Sequence, residues 1–318
     1  MASNDDNHSA YDYSPSQAAA ILFLAIYSLP LVGHICQAVR FRTFWAWPLI
    51  CGLVLEVLGF ATRYISARNV TLTWPAVVTQ VAVIVAPAWL AAYVYMSVGR
   101  IMSFLGAEYS PVSHNALTKI FVIADFISIF SQGGAGGLLS SDDLKTLHVG
   151  FNILIAALTF QVVMFIIFIG LTVVFDIRSR RGLRERRQPI QPLIYATYTV
   201  SAMIILRSIY RLIEFATVKF TPDGAFGYTL EHEWLLYVFD ALPITLASVI
   251  LAVIYAGQYL PRTKGLRIDG THEDLSTRVC GCLWRTKSAR RAKSQSFGLQ
   301  EHRGNMSSEA PTSRESPA

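Results

Sequence analysis

Charge is what this chain has least of. Only 15% of its 318 residues are Asp, Glu, Lys or Arg, against about 25% in an average soluble domain. Hydrophobic residues make up 53%, and the mean hydropathy is +0.41. Such a chain, with repeated apolar runs of membrane-crossing length, is not built around one large soluble core. Cysteine is scarce too. Four are present: Cys36 and Cys51 lie in or beside apolar runs and Cys280 and Cys282 in a polar tail, which gives no disulfide framework. The seven histidines are scattered, and only His34 lies well inside a run, so the three converging ligands of an intramembrane zinc hydrolase are missing. The seventh run holds no lysine for a retinal-type Schiff base. No phosphate-cradling glycine loop or nucleophile elbow occurs. These absences predict a protein that is not an enzyme and takes no cofactor, no metal and no nucleic acid. The first 17 residues are polar and acidic (Asp5, Asp6, Asp12) without a basic segment, so no cleaved signal peptide is expected and the first helix serves as its own insertion signal.

What is present is a series of seven apolar runs: Ala18–Val39, Ala46–Ile65, Ala76–Met102, Leu117–Leu139, Val149–Phe175, Leu193–Phe215 and Trp234–Tyr255. At ~1.5 Å per residue each reaches across the ~30 Å of a hydrocarbon core. The expected fold class is therefore an all-α polytopic membrane protein, a bundle of seven transmembrane helices. Residues 1–17 form an extracellular N-terminal segment, 18–259 the helical domain and 260–318 a disordered basic cytosolic tail. Orientation follows from loop basicity. The fifth link carries Arg178, Arg180, Arg181, Arg184, Arg186 and Arg187, the first carries Arg40 and Arg42, and the opposite links hold only Arg68, Lys145 and Lys219. The positive-inside rule then puts the N-terminus outside and the C-terminus in the cytosol. Two sequons, Asn7-His8-Ser9 and Asn69-Val70-Thr71, fall on the outer side and are candidate N-glycosylation sites. In the tail, Arg285, Lys287, Arg290, Arg291 and Lys293 would lean on anionic inner-leaflet lipid at about 1 kcal/mol per charge. Cys280 and Cys282, beside Leu283 and Trp284, are candidate palmitoylation sites, with a pair of ordinary reduced thiols as the plainer reading.

The runs are not uniformly apolar, and their polar residues fall at helical spacing. Arg207, Arg211 and Glu214 lie at i, i+4 and i+7, as do Glu233, Tyr237 and Asp240 in the next run, so each trio is expected on one helix face. Glu56 and Arg63 share a face in the second run, and Asp125 and Gln132 share one in the fourth. A charge facing lipid at a helix centre costs ~2.5–3.5 kcal/mol, so these stripes are expected to face one another inside the bundle. Four acids (Glu56, Asp125, Glu214, Asp240) meet four bases (Arg63, Arg100, Arg207, Arg211). The two readings are a salt-bridge lock between helices and a polar seam along which a substrate moves. Pro87, in Val85-Ala86-Pro87-Ala88, removes a helical hydrogen bond and is a candidate hinge.

Taken in order, these positions form a set of motifs. Tyr13-Ser14-Pro15-Ser16 precedes the first helix, and His34 lies near its end. Then come Glu56-x-x-Gly59-Phe60-x-x-Arg63, Ala86-Pro87-Ala88-x-x-Ala91, Tyr95-x-x-x-Gly99-Arg100 and Asp125-x-x-Ser128-x-x-x-Gln132-x-x-x-Gly136. The last two are Arg207-Ser208-Ile209-Tyr210-Arg211-x-x-Glu214 and His232-Glu233-x-x-x-Tyr237-x-Phe239-Asp240. Together they resemble the fungal lipid-translocating exporter family, the RTA-like or aminocholesterol-resistance family, over about Tyr13 to Tyr259. The resemblance implies a fungal seven-helix protein of the plasma membrane or secretory pathway. It also implies export of sphingoid long-chain bases and resistance to toxic amphiphiles. The links Ser140–His148 and Ala216–Glu231 carry no feature that the motifs assign.

The expected function is translocation of lipids or amphiphiles without ATPase machinery of the chain's own. A cationic head would pair with Glu56, Asp125 or Asp240 while the tail stays in lipid. The alternative is a seven-helix sensor or regulator acting through protein partners. Against it, the seventh run has no Asn-Pro-x-x-Tyr, the third is not closed by Asp-Arg-Tyr, and no extracellular cysteine pair is available.

Overall fold

The structure, a computed structural model, describes residues 16–69, 72–138, 143–183, 188–217, 219–221, 224–226 and 233–261. Seven helices long and apolar enough to cross a membrane run through it. They are α1 (Gln17–Phe41), α2 (Trp47–Arg68), α3 (Thr73–Leu105), α4 (His114–Leu138), α5 (Leu144–Gly182), α6 (Gln191–Ala216) and a composite α7. The last begins at Glu233–Leu235, widens into a π-helical turn over Leu236–Ala241 and continues as α-helix over Leu242–Val253; a short α8 (Ala256–Tyr259) follows. Most helix ends run a few residues past the apolar run, because polar ends can still complete backbone hydrogen bonds once the helix is nucleated, whereas α2 starts one residue inside its run and α7 stops two residues short of its end. The largest difference is in α5, whose 39 residues exceed the expected Val149–Phe175 at both ends.

Local chemistry sets the ends. Ser16 caps α1 by accepting from Ala19 N, and Arg42 stops it in the left-handed region at φ +53°. Asp143 caps α5: its carboxylate accepts from the Thr146 hydroxyl at 2.9 Å and from the Lys145 and Thr146 amides at 3.4 Å. Those bonds, the hydroxyl first, hold the Asp143 carboxyl below the usual aspartate range and satisfy donors that the first turn leaves open. Between α6 and α7 lies an element absent from the expected all-α bundle, an antiparallel pair of strands β1 (Lys219–Thr221) and β2 (Gly224–Phe226), with Phe220 opposite Ala225.

Successive helices pack on one another, α7 returns against α1, and α3 stands in the middle, touching α2, α4, α5 and α6. Close approach of α2 to α3 depends on Gly52 and Gly59. A Cβ at Gly52 would sit 3.0 Å from the Ala86 carbonyl oxygen and 3.2 Å from Trp89 Cβ. The interior is apolar and aromatic, with Tyr27, Phe60, Tyr93, Tyr95 and Phe168 buried. The outside is apolar as well: Leu29 and Phe130 are 76% exposed and Val253 71%. A soluble protein rarely shows such a continuous apolar surface, whereas hydrocarbon is its natural solvent.

Candidate functional site

Lipid on the outside leaves the bundle interior as the place for charge, and the stripes of α2, α4, α6 and α7 do meet there. Glu56, Arg63, Asp125, Gln132, Arg207, Arg211, Glu214 and Asp240 are all at most 6% exposed. They separate into two neighbouring groups of different character.

The first group is a closed ion-pair cluster between α6 and α7. Asp240 takes Arg211 in a two-pronged grip, Nε to Oδ1 at 2.8 Å and Nη2 to Oδ2 at 2.9 Å. Arg211 Nη1 also donates to Glu214 Oε2 at 3.0 Å, one helical turn along. Arg207 Nε lies 2.9 Å from Asp240 Oδ1 as an ion pair without hydrogen-bond geometry. Its Nη2 reaches across to the Val83 carbonyl oxygen at 2.6 Å. Proline has no N–H to give, so in α3 the carbonyl four residues before Pro87 loses its helical donor. That carbonyl is Val83, and Arg207 replaces the missing bond. The same guanidinium thus joins the α7 carboxylate to the proline turn of α3.

The π-turn determines where Asp240 and Tyr237 point. Leu242 N–H bonds the Tyr237 carbonyl, five residues back, which adds one residue to the turn and rotates the helix face. Asp240 then faces α6. The Tyr237 hydroxyl instead accepts from Arg63 Nε at 3.2 Å on α2, and its ring stacks on Phe23 at 4.9 Å. The expected common face of Glu233, Tyr237 and Asp240 is therefore split between two partners for its last two members. The Glu233 side chain lies outside the described residues. Ala241 O in the same turn accepts from Tyr27 OH at 2.6 Å and Thr245 Oγ1 at 3.0 Å. Glu56 is 2% exposed beside this cluster and forms no hydrogen bond or ion pair with a described residue. Arg100, expected among the neutralising bases, lies instead over the Trp45 ring, 4.3 Å from its centroid.

The second group lines a small cavity, open on one side, between α3, α4, α5 and α6. Pro87, Asp125, Gln132, Arg207 and Arg211 all contribute to its wall, as do Gln161, Ser208 and several apolar side chains. Asp125 Oδ2 accepts from Tyr95 OH at 2.9 Å, while Oδ1 has no partner. Asp125 also borders a second hollow, lined by Ala88, Trp89 and Phe126 between α3 and α4. Phe126 is 40% exposed on the outer face. Gln132 Nε2 donates to Gln161 Oε1 at 3.1 Å. Gln161 was missed in the sequence, although an amide near the centre of the mostly apolar fifth run is itself a signal. Tyr95 stood in a motif without being matched to Asp125. Asn69 is exposed at the end of α2; Asn7, Cys280, Cys282 and the basic cluster of the tail lie outside the described residues. No group of three metal-ligating side chains occurs among the described residues.

Residues 49–263 match the model of the family described as RTA1 like protein. The chain is similar to Protoporphyrin uptake protein 1 of Saccharomyces cerevisiae, 28% identical over 293 residues, covering 80% of this chain and 94% of that protein. It is similar to the Probable lipid transporter atnI of Emericella nidulans, 27% identical over 264 residues, covering 78% of this chain and 67% of that protein. It is also similar to the Sphingoid long-chain base transporter RSB1 of Saccharomyces cerevisiae, 24% identical over 302 residues, covering 83% and 78% respectively. No solved structure matches.

Proposed function

The chain belongs to the RTA1-like family, and from that premise we propose that it translocates lipids or other amphiphiles with a cationic head across the bilayer. The observation that carries this reading is Asp125: a carboxylate on the cavity wall, 4% exposed, with one oxygen unpartnered and no base within ion-pair distance among the described residues. An ammonium head in the cavity supplies the missing partner. The hollow beside Phe126 gives an alkyl tail a way to remain against lipid between α3 and α4. Such a division suits an amphiphile, whose tail has little free energy to gain by entering protein. Names of three relatives, a sphingoid base transporter, a probable lipid transporter and a protoporphyrin uptake protein, support amphiphiles as the cargo class.

Of the three acids weighed from sequence, Asp240 is already held by two guanidiniums, and Glu56 does not line the cavity. The reading therefore assigns the head group to Asp125, orientation of cargo to Gln132 and Gln161, and mechanical support to Arg207, Arg211, Glu214 and Asp240. It keeps the N-terminus outside, the C-terminus cytosolic and the plasma membrane as location. No catalytic step is assigned to any residue. Export of the cargo would confer resistance to it.

The test is transbilayer movement of a fluorescent long-chain base in proteoliposomes containing the full chain, comparing wild type with Asp125→Asn. Acceleration by wild type and its loss in a folded variant support the reading. A folded, inserted wild type that accelerates nothing would turn the assignment to a sensor acting through partners.

A further inference from the structure

We propose that Asp125 binds a proton and a cationic head group in turn, so that the protein exchanges one for the other; this rests on the reading that the cavity receives a cationic amphiphile. The argument is one of charge balance at a buried site. Tyr95 is the titratable group of α3 that touches Asp125, and it donates a single neutral hydrogen bond to Oδ2. From α5 the cavity receives Gln161, an amide already bonded to Gln132 of α4. From α6 it receives Arg207 and Arg211, whose guanidiniums are taken up by Asp240, Glu214 and the Val83 carbonyl. No cation is left over to neutralise Asp125 within 4 Å among the described residues.

An isolated ionised carboxylate in such a place is costly, and it is neutralised by whichever cation arrives. When the cavity is empty, that cation is a proton; when cargo is bound, it is the ammonium head. One carboxylate carries one charge, so the two occupants exclude each other. As the head enters, the O–H bond of the carboxyl breaks, the proton leaves to water, and the ionised carboxylate pairs with the ammonium. Net charge in the site is the same before and after. Asp240 cannot serve in this way, since two arginines keep it neutralised throughout.

The experiment is titration calorimetry of the purified full chain with dodecyltrimethylammonium, whose head carries a fixed charge and no transferable proton. Repeating it in buffers of different ionisation enthalpy counts the protons released. The expected result is about one proton per bound ammonium for wild type and none for Asp125→Asn, whose affinity falls at least tenfold. Asp125→Glu, which keeps the carboxyl, restores release. Binding of the ammonium by wild type with no dependence on buffer would overturn the exchange while leaving the proposed cargo intact. Absence of any binding, together with no transbilayer movement of the fluorescent base, would instead remove the cargo reading itself.

Discussion

Asp240→Asn changes almost nothing in shape, yet it removes the charge that holds two guanidiniums inside the bundle. Asp240 is 2% exposed and lies within 2.8–2.9 Å of both Arg207 and Arg211. With the charge gone, Arg211 retains Glu214 at 3.0 Å, and Arg207 retains only a backbone carbonyl. Removing one partner of a buried pair costs about 3–5 kcal/mol. The amide still accepts one hydrogen bond, so the lower end is expected: about 3 kcal/mol, or roughly 150-fold in the folded-to-unfolded ratio. The assay is fractional unfolding in detergent micelles against added SDS, followed by tryptophan fluorescence. A second variant sharpens it. Asp240→Asn with Arg207→Gln leaves Arg211 balanced by Glu214, so the double variant should recover most of the loss rather than add to it. A cost below ~1 kcal/mol for the single variant, or additive losses in the double, would refute the reading of this cluster as a charge-balanced lock.

Two further outcomes follow from the packing of α3. Pro87→Ala restores an N–H to the Val83 carbonyl in competition with Arg207, so thermal stability should hold or rise, by up to ~3 kcal/mol. Transbilayer movement should nonetheless slow if the proline turn is a hinge, and unchanged movement removes that role. Gly52→Leu drives a side chain into the Ala86 carbonyl and Trp89 and should lower stability by ~1–3 kcal/mol in the same micelle assay.

The seven spans and the inward facing of the charged stripes were legible in the sequence because hydrocarbon admits few alternatives. A run of twenty apolar residues must be a helix there, and its charges must turn inward. Three things were not. Tyr237 and Asp240 diverge because a π-turn adds a residue to the count, and spacing arguments assume 3.6 residues per turn. The strand pair at Lys219–Thr221 and Gly224–Phe226 has one faint signal in the sequence, Thr-Pro-Asp-Gly, whose residue types favour turns. The link between Arg207 and Val83 was the least accessible. Pro87 announces that one carbonyl is left without a donor, but which residue fills the gap depends on how α6 lies against α3. The pairing of Asp125 with Tyr95 rather than with a base is of the same kind. Four acids and four bases can be matched on paper, yet distance leaves Glu56 and Asp125 out of the exchange.

The length of α5 has a mechanical consequence. Its 39 residues span about 58 Å, against ~30 Å of hydrocarbon, so its polar ends reach beyond the apolar layer. One end carries Asp143 and the other Arg178, Arg180 and Arg181, with Arg180 tied to Asp176 at 3.0 Å. Its middle lines the cavity through Leu158, Gln161 and Phe165. A rod held at one end turns five degrees of tilt into about 5 Å of travel at the other, from length alone. Any tilt of α5 around an occupant is thereby passed to its arginine-bearing end, where Ser179 is buried and Gly182 lies close against the Tyr109 ring.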